Sequence, residues 1–172
     1  MWQKSHKHFL FIVDCQPLCN VICGKSPLES PDSENTCHRT TENIKALFFL
    51  GWAPPRRWED PVFWKPREYN RIADYLVSAT MDLKTSWSRQ LNDIPADGCN
   101  IICHSDGGTR IGMCSAAAYI VEARVERDGV STTIVLAMGG IYMDNPVSSF
   151  DVEAIALEEC SSCARRLIEL DS

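Results

Sequence analysis

Residues 100–110 have the sequence NIICHSDGGTR, in which a short apolar run is followed by one acid, Asp106, and two glycines. An apolar run of this length bounded by turn residues predicts a buried strand. We expect Asp106 to lie where that strand leaves the core and the chain to turn at Gly107 and Gly108. Aspartate before glycine is also common in ordinary hairpin corners, so the acid gains meaning only if other acids are placed in the same way.

The composition predicts one domain that folds alone. The chain has 172 residues, of which 45% are hydrophobic, and this is enough for a buried core. No apolar run approaches the roughly 20 residues of a membrane helix, and the run from Phe9 to Val13 is too short for a signal peptide. We therefore expect an intracellular protein with no membrane partner, in either the nucleus or the cytoplasm.

Charge and cysteine content each disfavour one class of protein. The net charge of −6 argues against a protein that coats nucleic acid through a basic surface. The basic clusters, Arg56-Arg57 and Lys65/Arg67/Arg71, could face phosphates or could be ordinary solvated residues. Nine cysteines, an odd number without dense spacing, favour reduced thiols over a disulfide framework. A zinc site is disfavoured because only one Cys-x-x-Cys pair, Cys160 and Cys163, is present.

The N-terminal half contains two apolar strands and three helical patterns. Phe9 to Val13 predicts a strand that ends on Asp14, and a short helix follows between Pro17 and Gly24. Residues 25–40 predict a surface loop and residues 41–50 a helix. Residues 62–65 predict a strand stopped by Pro66, and a helix should then run from Glu68 to about Met81. In the loop between the helix at 41–50 and the strand at 62–65, Trp52 and Trp58 predict either a stacking surface or packing of the loop onto the core.

The C-terminal half predicts a meander followed by a long helix. Residues 88–98 are polar and rich in turn formers, so they predict a linker. Strands at 115–124 and 132–141 are separated by Asp128-Gly129, a hairpin signal. A helix should begin at Ser148 or Ser149 and end near Leu170, which places Glu153 near its first turn.

These motifs together resemble a type 1 ribonuclease H domain of the kind carried by retroelements. Residues 100–120, the hairpin after them and SSFDVEAIAL at 148–157 resemble the first half of that family, and FLFIVDCQ at 9–16 and WKPREYNRIAD at 64–74 resemble the second half. The stretch Pro-Arg-Glu-x-Asn-x-x-Ala-Asp is the most specific piece. Residues 8–87 match the second half, 88–98 form the linker, and 99–172 match the first half.

The resemblance implies a fold and a reaction. The fold is α/β (α+β), a mixed five-stranded sheet flanked by helices in one domain, 1–172, with its halves circularly permuted. The reaction is endonucleolytic hydrolysis of the RNA strand of RNA–DNA hybrids. Two Mg²⁺ ions, or Mn²⁺ in their place, are held by four acids: Asp106, Glu153, Asp14 and Asp74. Magnesium prefers such oxygen ligands, and two ions can activate a water and stabilise the leaving oxygen. Metal should therefore stabilise the fold, less so as pH falls.

The resemblance also assigns substrate contacts. Gln16 and the backbone of Gly107 and Gly108 would contact RNA sugars, Ser148 or Ser149 would receive a phosphate at a helix N-terminus, and Asn70 belongs to the same substrate-binding set. Taken as residues alone, Gln16 is also an ordinary polar residue at a helix start, and the serines are also ordinary N-caps.

Two alternatives stay open. The chain could be a catalytically inactive nucleic-acid-binding module that keeps the ribonuclease H-like fold. The two halves could also come from adjacent copies of an ordinary domain, in which case a swapped dimer rather than a monomer would build each site.

Overall fold

The computed structural model describes residues 7–55, 60–96 and 98–171. Within them lie six strands: β1 His8–Val13, β2 Val62–Trp64, β3 Trp87–Gln90, β4 Asn100–Arg110, β5 Cys114–Arg127 and β6 Val130–Met143. The α-helices are α1 Gln16–Ile22, α2 Glu34–Phe49, α3 Arg71–Leu83 and α4 Ser149–Asp171. Short 3₁₀ turns occur at Pro31–Ser33 and Arg67–Tyr69. The fold is mixed α and β, as predicted.

The strands form one mixed sheet in the order β2-β1-β4-β5-β6-β3. β1 lies between β2 and β4 and is parallel to both. β4, β5 and β6 form the predicted antiparallel meander, and β3 pairs antiparallel with β6 at the far edge. Because Ile12 is opposite His104, the residue that follows β1, Asp14, comes to the level of Asp106.

Helices cover both faces of the sheet. Successive residues of a strand point to opposite faces. A side chain at Gly107 would meet the backbone of α4, and one at Gly108 would meet Val77 of α3, so α4 and α3 lie on opposite faces. α2 packs in turn against α4. The larger core lies on the α4 side and includes Phe9, Phe11, Leu18, Leu47, Ile101, Leu136 and Leu157.

The predicted turn at Gly107 and Gly108 is wrong. β4 continues to Arg110, and these glycines pair with Ala117 and Ala116 of β5. The chain turns later, where Gly112 has φ of 71° and the Met113 amide donates to the Arg110 carbonyl at 2.9 Å. Because β4 continues past them, Asp106 lies within the strand rather than at its end. Glycine is required at 107 and 108 because helices approach the strand closely on both faces.

The sheet has six strands rather than the expected five, because the segment predicted as a linker begins as β3. This strand is polar and mostly exposed, so its sequence lacks the alternation that indicates a strand. Pairing with β6 and a hydrogen bond from Trp87 Nε1 to Thr80 Oγ1 (3.0 Å) fix it in place.

The predicted loop at 25–40 is too long, since α2 begins at Glu34 rather than at 41. Its first buried residues are Thr36, Cys37 and Thr40, which are not the aliphatic residues that make a helical stripe obvious.

Trp52 is 3% exposed and packs in the core, whereas Trp58 and Arg56-Arg57 lie outside the described residues. The Asp128-Gly129 hairpin is confirmed, with φ of 52° and 75°. Among the described residues, no helix has the length and apolar character needed to span a bilayer.

Candidate metal centre

Three of the four predicted acids converge at one point. Asp14 follows the last residue of β1, Asp106 lies within β4, and Glu153 lies near the start of α4. Each offers a carboxylate oxygen, and these oxygens all lie within 4.8 Å of one another. Parallel pairing of β1 with β4 brings the two aspartates together, and packing of α4 over Gly107 adds the glutamate.

The cluster is poorly solvated. Asp106 is 4% exposed and Glu153 is 8% exposed. Burial, reinforced by the charge of Asp14, raises the pKa of Asp106 to about 8. Burial and the charges of Asp106 and Asp14 raise the pKa of Glu153 to about 11. Ionised carboxylates at this distance repel one another, so near neutral pH the cluster holds protons unless a cation takes their place.

Two buried oxygens in the cluster, Asp14 Oδ1 and Glu153 Oε2, accept no hydrogen bond from the described part of the chain. Buried polar atoms are normally paired, and carboxylate oxygens are the ligands that a hard divalent cation prefers. The donor set and its unsatisfied oxygens therefore fit Mg²⁺ or Mn²⁺ at the position shared by the three acids.

Asp74, the fourth predicted acid, is adjacent to this cluster but not part of it. It lies in the first turn of α3, and its Oδ1 accepts a hydrogen bond from Arg67 Nη2 at 2.8 Å. Its charge still contributes to the raised pKa of Asp106, after burial and the charge of Asp14. The carboxylate is thus near the metal centre and is held by an arginine.

If Asp74 is a metal ligand, Arg67→Ala should tighten Mg²⁺ binding. The Arg67–Asp74 pair is solvent-accessible, and such pairs contribute at most about 1 kcal/mol, so the gain should be no more than about fivefold. Isothermal titration calorimetry measures it. Lys65→Ala removes a neighbouring positive charge without touching Asp74 and is the matched control. Equal gains in both variants would show that the gain comes from removing a positive charge and not from freeing Asp74. Unchanged affinity in Asp74→Asn would show that Asp74 does not bind metal.

Two contacts that the sequence did not predict hold the acids in place. Trp64 Nε1 donates to the backbone carbonyl of Asp14 at 3.2 Å. The side chain of Asn70 is 1% exposed, and its Nδ2 donates to the Ser105 carbonyl at 2.8 Å, next to Asp106. Asn70 was predicted to bind substrate, and the contact that it makes in the structure joins α3 to β4.

Contacts around Asp151 fix the start of α4, and of these only the Ser148 N-cap was predicted. Asp151 accepts hydrogen bonds from Ser30 (2.8 Å), Ser33 and Ser148 (2.6 Å). Burial raises the pKa of Asp151, but the three hydroxyls together outweigh it and hold that pKa below its usual range. Ser148 also accepts from the Asp151 amide at 3.2 Å, so the N-cap prediction is confirmed. The Ser-x-x-Asp spacing resembles a capping box and was the available signal.

Of the other predicted substrate contacts, two lie at helix starts and two lie within β4. Gln16 is the exposed first residue of α1, and Ser149 is the exposed first residue of α4. Gly107 and Gly108 are half-buried beneath α4 and α3. Their roles toward a substrate stay predictions.

Comparison with known proteins identified no relative of this chain. No family profile matches the sequence, and a search among curated proteins found no match. What the chain does is therefore inferred from the geometry of its acids, the arrangement of its strands and the resemblance of its sequence motifs.

Proposed function

We propose that this protein is a metal-dependent endonuclease that hydrolyses the RNA strand of RNA–DNA hybrids. One observation carries the proposal: Asp14, Asp106 and Glu153 come from three separate segments and meet in a buried cluster with oxygens within 4.8 Å. Such a cluster destabilises the fold while it is charged and empty, and a divalent cation removes that cost.

The arrangement of the strands supports a circularly permuted ribonuclease H-like fold. In the permuted order, β1 and β2 correspond to strands of the family's second half, and β4 to β6 correspond to its first half. The proposal requires the family's fourth strand to lie beside its first. β1 lies parallel to β4, and this pairing supplies Asp14 to Asp106. Both halves contribute acids within one chain, so we infer a monomer with a self-contained site rather than a swapped dimer.

Asp14, Asp106 and Glu153 are the residues that would hold the metal, with Asp74 as a further candidate. When bound, Mg²⁺ would supply an activated water and a stabilised leaving oxygen. The chain's own contribution is to gather and orient the ligands. The indole of Trp64 fixes the backbone at Asp14, and Asn70 fixes the strand that carries Asp106. Asp106 and Glu153 would release their protons when the cation binds.

The decisive experiment incubates the purified chain with an RNA–DNA hybrid whose RNA strand is labelled. We expect cleavage of the RNA with Mg²⁺ and none with EDTA, while single-stranded RNA and the DNA strand stay intact. A hybrid that stays intact with Mg²⁺, although a control ribonuclease cuts it, would reject the proposal.

A second candidate is the inactive module that binds nucleic acid without turnover. The ion pair between Arg67 and Asp74 favours it, because one of the four acids is engaged outside the cluster. Under this alternative the chain would bind hybrid with a steep salt dependence and would not cleave it at any concentration of Mg²⁺ or Mn²⁺.

The metal-free protein should become less stable as pH rises. Because burial raises the pKa of Asp106 to about 8 and that of Glu153 further, the folded chain binds more protons than the unfolded chain from about pH 4 upward. The stabilisation by these protons is complete below about pH 4. It is lost for Asp106 as pH rises through about 8 and for Glu153 as pH rises through about 11. We expect the free energy of unfolding to fall by roughly 2 kcal/mol or more between pH 5 and pH 8, measured by urea denaturation in EDTA.

Magnesium should have the opposite pH dependence, because it must displace those protons. The rise in melting temperature caused by Mg²⁺ should be small at pH 5.5 and several degrees at pH 8. Asp106→Asn should flatten both trends. The same slope in Asp106→Asn as in the natural sequence would show that other groups cause it.

A further inference from the structure

Two exposed rings lie beside one lysine at the edge of the sheet. Phe63 in β2 is 37% exposed, and Tyr69 in the following 3₁₀ turn is 67% exposed. Lys65 Nζ lies 5.7 Å from the centroid of the Phe63 ring and 5.6 Å from that of Tyr69. We call Phe63, Lys65 and Tyr69 the aromatic platform. A single exposed ring is ordinary, but two exposed rings that share one cation form a surface able to stack a flat ligand and hold its charge.

The backbone of the aromatic platform is tied to the metal centre. The Lys65 amide donates to the Val13 carbonyl at 2.9 Å, one residue before Asp14. The neighbouring Trp64 donates from its indole to the Asp14 carbonyl. On the other side, Tyr69 precedes Asn70, whose side chain holds the strand of Asp106. The aromatic platform therefore lies at the border of the acid cluster and is fixed relative to it.

The positive charge of Lys65 indicates which kind of partner the aromatic platform binds. No carboxylate among the described residues forms an ion pair with Lys65, in contrast to Arg67, which is bound to Asp74. The chain as a whole carries −6, so a lysine that no described carboxylate neutralises gives this surface a local positive charge. A matching partner has flat faces that stack on the rings and anions that contact the ammonium group, and both recur at short intervals along its length. Nucleotides of a single strand have both, since every base has a face to stack and every linkage a phosphate.

We propose that the aromatic platform binds an unpaired segment of nucleic acid that continues from the strand held at the metal centre. Bases stack on Tyr69 and Phe63, and a phosphate contacts Lys65. A paired segment does not fit as well, because the faces of its bases are already stacked within the duplex. The proposal extends the proposed function and takes from it only the position of the substrate, so binding can be tested with no metal and no cleavage.

The experiment measures binding of a labelled single-stranded DNA of about 12 nucleotides, within the range of known single-strand sites, to the full chain in EDTA. Fluorescence anisotropy gives the dissociation constant, and a blunt RNA–DNA hybrid of the same length is the second ligand. We expect Tyr69→Ala to weaken single-strand binding by about 5- to 10-fold and hybrid binding by less than about twofold. Tyr69→Phe keeps the ring and should bind as the natural sequence does. Lys65→Ala should reduce the salt slope by about 0.7.

Phe49→Ala is the matched control, because Phe49 is a more exposed ring (91%) at the end of α2. Its single-strand affinity should be unchanged. Unchanged affinity in Tyr69→Ala would overturn the proposal and leave the aromatic platform to another class of partner, such as a protein. An equal loss for both ligands, or an equal loss in Phe49→Ala, would also overturn it. Tyr69-dependent binding without hybrid cleavage in Mg²⁺ would support the aromatic platform while rejecting the nuclease.

Discussion

Asp106→Asn should abolish cleavage of an RNA–DNA hybrid while the protein stays folded. Asp106 shares the cluster with Asp14 and Glu153, and its replacement would take one of the three candidate ligands away. Because asparagine keeps the shape and loses the charge, the proposed metal would lose a strong ligand and could no longer be held in place to assist the reaction. We expect a fall in the cleavage rate of at least about 100-fold, measured under single-turnover conditions with saturating Mg²⁺.

The same variant should make the metal-free protein more stable, because the pKa of Asp106 is raised by burial and its ionised form is unfavourable near neutral pH. Loss of activity together with a higher melting temperature in EDTA would separate a catalytic defect from misfolding. Glu122→Gln is the matched control, since Glu122 is a half-buried acid in the adjoining strand whose pKa is also raised by burial and which lies outside the cluster. Cleavage at the natural rate in Asp106→Asn would remove the basis of the proposed function.

The residues that the sequence placed correctly are those whose position follows from local pattern. Asp14 was predicted because an apolar run ends on it, and Glu153 because a capped helix begins a few residues earlier. Each acid was tied to an element that forms from its own sequence. Their convergence also needed the order of the strands, which came from a resemblance rather than from periodicity.

The predictions that differ from the structure concern interactions that no local sequence pattern indicates. β3 is polar, and only its pairing with β6 makes it a strand. Asp74 lies on the predicted helix, but its carboxylate is held by Arg67, seven residues earlier, and that choice of partner depends on the turn between them. The three serines that bind Asp151 come from two segments more than one hundred residues apart. Side-chain direction and long-range pairing are properties of the folded chain.

Gly107 illustrates the same limit, and Gly107→Ala should strongly reduce stability. Sequence alone predicted a turn glycine, chosen for backbone freedom. Gly107 is instead a strand residue whose added Cβ would lie 2.7 Å from the Val152 carbonyl carbon and 2.8 Å from the Glu153 amide nitrogen. Both are backbone atoms of α4, so no rotamer change can relieve the contact. We expect a loss of about 2–4 kcal/mol of unfolding free energy, measured by urea denaturation.

The neighbouring glycine provides the control. At Gly108 an added Cβ would lie 2.8 Å from Val77 Cγ1, a side-chain atom that can move at the cost of a less favoured rotamer. Gly108→Ala should therefore lose only about 1 kcal/mol. Because the contact at Gly107 pushes on the backbone of Glu153 itself, Gly107→Ala should also weaken Mg²⁺ binding, and Gly108→Ala should not. Equal losses of stability in the two variants would show that backbone flexibility, rather than the close approach of α4, is why glycine occupies residue 107.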